Sequence, residues 1–170
     1  GTSINNTYTN NYVMCIMLYN YKKNMKSCGI SITNINANDN YFYECNDTTY
    51  DINKVMNDLV KIILMYNPTE TIIYNKTTIC NKQLVNILGL YKSKIIIKNA
   101  IINQYKNLEY QKAFFDNIYG DDSLMNSISK INLSNTPDAR LSLLLLFKYI
   151  YTQNHSLLNN IAYPLNISFN

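Results

Sequence analysis

The repeat of apolar residues changes period part-way along the chain, and that change restricts the available folds more than any single motif does. Before residue 50 the repeat is short. Residues 12–20 (YVMCIMLYN) are a brief apolar run of β-compatible residues, with the length and make-up of a buried strand. The polar stretch 21–27 fits a hairpin turn. Residues 28–36 alternate, with Cys28, Ile30 and Ile32 on one side and Gly29, Ser31, Thr33 and Ile35 on the other, which predicts a half-exposed strand. ANDN at 37–40 is a turn signal, and YFYEC at 41–45 completes a three-stranded antiparallel meander.

From residue 51 the spacing lengthens. Ile52, Val55, Met56, Leu59, Ile62, Ile63 and Tyr66 recur every three or four positions, which places them on one helix face. That helix must stop before Pro68, and Asp47, Thr48 or Thr49 can cap its first turn. A strand at 70–75, a helix at 81–90 and a strand at 93–98 follow. A helix between strands implies a crossover and parallel pairing. The order β-β-β-α-β-α-β is that of the ribonuclease H-like fold, an α/β class with a mixed sheet flanked by helices.

The remainder reads as helical. A helix at 108–119 ends at Gly120, and a short one at 123–128 would be capped by Asp122 or Ser123. Thr136-Pro137-Asp138 is the clearest start signal: a capping hydroxyl, a proline whose missing donor costs nothing there, and an acid in the first turn. The helix that follows, 139–151, is so apolar that burial on more than one face is expected. A short helix at 156–161 ends before Pro164. The expected division is an N-terminal stretch at 1–11 beginning with a cloning remnant, a ribonuclease H-like domain at 12–134, and a C-terminal helical segment at 135–170.

Composition narrows function. Hydrophobic residues make up 47% and charged residues 15%, which supports a packed core and argues against disorder. The net charge of +4 favours a polyanion only weakly. Lys22, Lys23 and Lys26 form the one tight basic group and are the candidates for phosphate or partner contact. Cys15, Cys28, Cys45 and Cys80 contain no CxxC pair, so buried reduced thiols in an intracellular protein are expected instead of a metal knuckle. His155 is the single histidine, and a surface or capping role is expected for it. The tyrosines mostly fall at strand or helix spacing and read as core. No apolar run is long enough to cross a bilayer.

A nuclease of this fold holds two metal ions with carboxylates, one of them projecting from the middle of the first strand. Residues 12–20 contain no Asp or Glu. Asp39, Asp47, Asp51, Asp121 and Asp122 sit in turns and helix starts, Glu70 reads as a capping or salt-bridging residue, and Glu44 has no acidic partner at a matching place. No GxxxxGK[ST] phosphate loop occurs. No catalytic, cofactor-binding or metal-binding residue is expected in this chain.

Four stretches in this order carry a family resemblance: CGISITNINANDNYFYEC (28–45), NPTETIIYN (67–75), FFDNIYG (114–120) and PDARLSLLLLFKYIYTQNHSLL (137–158). Together they resemble the connector domain of MutS DNA mismatch-repair proteins. The Ala-Arg-Leu-Ser run and the later Asn-His segment look closest to the branch found in giant DNA viruses and octocoral mitochondria, and the Asn, Ile, Lys and Tyr enrichment agrees with an AT-rich coding genome. The resemblance implies a non-catalytic module that transmits conformational change between the mismatch-binding domain and the lever and ATPase core. It implies contacts with other domains of the same chain and a docking surface for a MutL-like repair protein. DNA, ATP and magnesium would be bound by the parent protein, in the compartment where DNA is replicated and repaired: a virus factory, nucleus or mitochondrion. Two alternatives remain open. A diverged ribonuclease H-like nuclease or resolvase would need at least two acids meeting at the sheet. A single-stranded nucleic-acid binder would need exposed tyrosines near Lys22, Lys23 and Lys26.

Overall fold

The computed structural model describes residues 11–120 and 126–169; the expected N-terminal remnant and the expected caps Asp122 and Ser123 lie outside them. Strands β1 (Val13–Lys22), β2 (Met25–Asn34) and β3 (Asp39–Asn46) form the antiparallel meander. Helix α1 (Lys54–Tyr66), strand β4 (Glu70–Lys76), helix α2 (Asn81–Leu88) and strand β5 (Lys94–Lys98) follow, with β4 parallel to β1 and β5 parallel to β4. Helices α3 (Leu108–Tyr119), α4 (Ser127–Lys130) and α5 (Pro137–Gln153) complete the helical set, and a two-residue strand β6 (Leu165–Asn166) joins the sheet edge. Across the sheet the order is β5-β4-β1-β2-β3-β6. This is a mixed α/β fold of the ribonuclease H-like class.

The sheet carries a core on each face, and the two-residue period of β1 divides its side chains between them. Met14, Ile16 and Leu18 pack with Ile30, Ile32, Val55, Leu59, Ile62 and Leu84 under α1 and α2. Cys15 and Met17 pack with Ile72, Phe115, Leu143 and Phe147 under α3 and α5. Burial raises the Cys15 thiol to about 12, so it is protonated and inert at neutral pH.

Strand β2 departs from the expected half-exposed state: every residue from Ser27 to Asn34 is buried. The cause is α5, which lies across the face that carries Gly29, Ser31 and Thr33. Small side chains let the helix backbone approach closely. A Cβ built on Gly29 would overlap the Asp138 carbonyl and come within 2.7 Å of the Ala139 nitrogen. The Ser31 and Ser142 hydroxyls lie 2.9 Å apart, and Ser142 donates to the Cys15 carbonyl at 2.9 Å. The polar alternation in β2 therefore marks a helix-packing surface and not a solvated one.

Local differences have similar physical reasons. The polar stretch 21–27 is mostly strand; only Lys23 and Asn24 remain as the turn, with Asn24 left-handed at φ 61°. Helix α1 starts after Ile52, which is 59% exposed and off the buried face. Its cap is Asp47, one of the three expected capping residues. The buried Asp47 accepts from Val55 N at 2.9 Å and from Lys26 N at 2.8 Å, tying α1 to β2. The chain leaves α1 through a left-handed Asn67 just before Pro68. Helix α4 begins at Ser127, and Asn126 caps it by accepting from Ser129 N at 3.0 Å. The expected helix at 156–161 is a 3-10 turn at His155–Leu158 followed by β6, which pairs with β3 through Tyr41 and Phe42. Two residues of strand carry no readable period.

Candidate functional site

Helix α5 begins with Pro137 in its first turn, and its N-terminus stands on β2 and β3 because Gly29 leaves room for it. Thr136, the expected capping hydroxyl, makes no cap bond; its Oγ1 is buried without a partner. Glu44 of β3 takes over. Its Oε1 accepts from Asp138 N at 2.5 Å and from Ala139 N at 3.0 Å. Glu44 is the register partner of Gly29, so the glycine that admits the helix also presents it to this carboxylate.

The arrangement corrects the expectation that Glu44 has no acidic partner. Asp138 lies beside it, and Asp138 Oδ2 accepts from Tyr19 at 2.7 Å and from Ser27 at 3.1 Å. Burial raises the Glu44 carboxyl above its ordinary value and the neighbouring Asp138 charge adds to this, while the two amide donors pull the other way. Burial likewise raises the Tyr19 hydroxyl, which keeps it a donor to Asp138. Both carboxylates are thus engaged by donors from the fold, and the α5 amides that could greet an anion are already satisfied. Among the described residues no group of three or more His, Cys, Asp or Glu could hold a metal ion.

Arg140, one turn into α5, is buried. It donates through Nε to Gln111 at 2.6 Å and through a terminal nitrogen to the Leu133 carbonyl at 2.9 Å. Burial lowers its pKa, and the Glu44 charge opposes that shift. Beside it a cleft of about 430 Å³ opens at the ends of β1 and β4, with Tyr19, Lys76, Lys106 and Asp138 in its wall.

The structure brings Lys22, Lys23 and Lys26 together around the β1–β2 turn, where they border a depression of about 420 Å³ with Tyr21 and Thr78. Lys22 Nζ lies 5.9 Å from the Tyr21 ring centre, and the Tyr21 hydroxyl is held by the Asp47 carbonyl. His155 is exposed and stacks on Tyr151 with ring centres 4.2 Å apart. One cluster escaped sequence reasoning altogether. Lys148 Nζ sits 5.0, 5.1 and 5.2 Å from the rings of Tyr105, Tyr110 and Phe114, a set of aromatics drawn from two elements that no linear spacing reveals.

The Glu44 contacts make a clear prediction. Glu44→Ala leaves two α5 amides without their acceptor and is expected to cost about 1–3 kcal/mol in urea unfolding. Glu44→Gln keeps an acceptor oxygen and removes the buried charge, so its loss should be much smaller. Because the folded carboxyl is raised, the stability linked to Glu44 protonation is full below the ordinary carboxylate value. It is lost as pH rises through the folded value. Subtracting the Glu44→Gln stability–pH curve from that of the unchanged chain should show this decline, and a flat difference would refute it.

These features define a class: a ribonuclease H-like module with one sheet face sealed by a helix and with its strand-borne acid serving as that helix's cap. No protein-family model matches the chain. It is similar to a protein of Acanthamoeba polyphaga mimivirus named as a DNA mismatch-repair mutS homolog. The two are 22% identical over 181 aligned positions that cover 91% of this chain. The chain spans 16% of that relative's length.

Proposed function

We propose that the chain is the connector module of a larger MutS-type mismatch-repair ATPase. It would join a mismatch-binding domain to a lever and ATPase core, and offer a docking face to a MutL-like partner. The observation that carries this reading is the shape of the similarity: it runs over nearly all of this chain and over a small part of a protein several times longer. The fold supports it physically. A sheet covered on both faces moves as one body, which is what a part transmitting a rearrangement between neighbours must do. ATP and magnesium would act elsewhere in the parent protein, and the mimivirus relative favours a giant-virus branch.

An antibody raised against this chain tests the reading in extracts of its source. A band several times larger than 19.8 kDa that also carries ATPase activity is the expected result. A free species of the chain's own size would contradict it. A metal-dependent nuclease is the second reading, and the meeting of Glu44 and Asp138 is the observation in its favour. It requires a divalent cation to displace Tyr19, Ser27 and the α5 amides. Magnesium or manganese titration followed by NMR at Glu44 and Asp138 decides it: saturable shifts support the nuclease, and none oppose it.

A further inference from the structure

We infer that the edge of the sheet where β1, β4 and β5 end is a binding surface for the phosphate backbone of a nucleic-acid duplex. All three of these parallel strands finish on a lysine: Lys22, Lys76 and Lys98. The antiparallel β2 starts at the same edge and adds Lys26 opposite Asn20, while the turn adds Lys23. Lys106 stands across the cleft from Lys76.

The register fixes their relative heights. Lys76 is level with Tyr19 on β1, and Lys98 is level with Tyr74 on β4, two residues short of Lys76. With strands about 4.8 Å apart and a rise of about 3.3 Å per residue, neighbouring lysines along the edge are separated by roughly 8–11 Å. That spacing of backbone positions suits separate phosphates along a backbone.

The acids near this edge accept from groups other than these lysines' ammonium groups. Asp47 is buried and caps α1, and Asp138 is bonded to Tyr19 and Ser27. Lys22, Lys23, Lys76, Lys98 and Lys106 are exposed, and no salt bridge holds them among the described residues. At the far edge Lys94 is paired with Glu70. The occupant follows from what the edge lacks. Tyr21 is 38% exposed and its hydroxyl is anchored, so the edge offers no row of free aromatic rings on which unpaired bases could stack. Lysines act on phosphate as point charges and read no sequence. A duplex backbone fits these properties better than a single strand. The inference stands whether or not the mismatch-repair reading holds.

Fluorescence anisotropy with a labelled 20-base-pair DNA tests it, using the 170-residue chain over a range of salt concentrations. Lys22→Ala, Lys26→Ala, Lys76→Ala and Lys98→Ala combined should weaken binding at least tenfold at low salt. The variant should also flatten the log–log salt slope by about 0.9 for each phosphate contact removed. Lys61→Ala, Lys82→Ala, Lys92→Ala and Lys94→Ala combined, which alter the α1 and α2 side and the far edge, should leave both unchanged. Equal losses in the two sets, no salt-dependent binding, or tighter binding to a single strand or to polyglutamate than to the duplex would overturn it. Circular dichroism of both sets confirms that the comparison is between folded chains; if the quadruple alanine set unfolds, the Gln versions of the same lysines give the same test.

Discussion

Gly29→Ala is expected to destabilise the chain by about 3 kcal/mol or more, measured as the shift in the urea midpoint at constant slope. The sign is what makes the result informative. In the interior of an ordinary strand, alanine is about 0.5–1 kcal/mol better than glycine, because it loses less conformational freedom on folding. Here the added methyl meets the Asp138 carbonyl and the Ala139 nitrogen, which are helix backbone and cannot rotate aside. Helix α5 must lift. That lift would also pull the Asp138 and Ala139 amides from Glu44 and separate Ser142 from Ser31. A stabilising or neutral Gly29→Ala would mean that α5 does not rest on β2.

Phe147→Ala is expected to cost about 3–5 kcal/mol, the usual penalty for emptying a buried aromatic site. Phe147 is fully buried in the core beneath α5, among Leu143, Leu144 and Phe115. The ridge of α5 that carries it cannot collapse into the void without breaking the Ser31–Ser142–Cys15 connection. Thermal unfolding should show one cooperative transition at a lower temperature. A variant that lost only α5 while the sheet melted unchanged would contradict a shared core.

Much of the fold was legible in the sequence because periodicity reports burial. The order of the meander and of the two crossover units follows from the change in apolar spacing, and Asn67-Pro68 and Gly120 fix two helix ends by local geometry. Two of the misreadings come from contacts distant in sequence. Gly29, Ser31 and Thr33 look solvent-facing because they are small or polar, yet they are the residues that let a helix backbone come close. Thr136 looks like a cap because local patterns suggest one, but a carboxylate ninety-two residues earlier in the chain, Glu44, occupies that role. The grouping of Lys22, Lys23 and Lys26 was visible as sequence; its continuation through Lys76 and Lys98 was not, because only strand pairing sets those residues side by side. The cage around Lys148 is hidden because the packing of α5 against α3 and Tyr105, which no linear spacing reveals, brings its rings together.

The claim on which the rest depends is that α5 and the sheet form a single rigid body. Native-state hydrogen exchange measures this residue by residue. Amides in the middle of α5, from Leu143 to Phe147, should open with the same free energy and the same urea dependence as those of β1 and β2. Exchange of α5 through a separate, lower-energy opening, with β1 and β2 still protected, would contradict it.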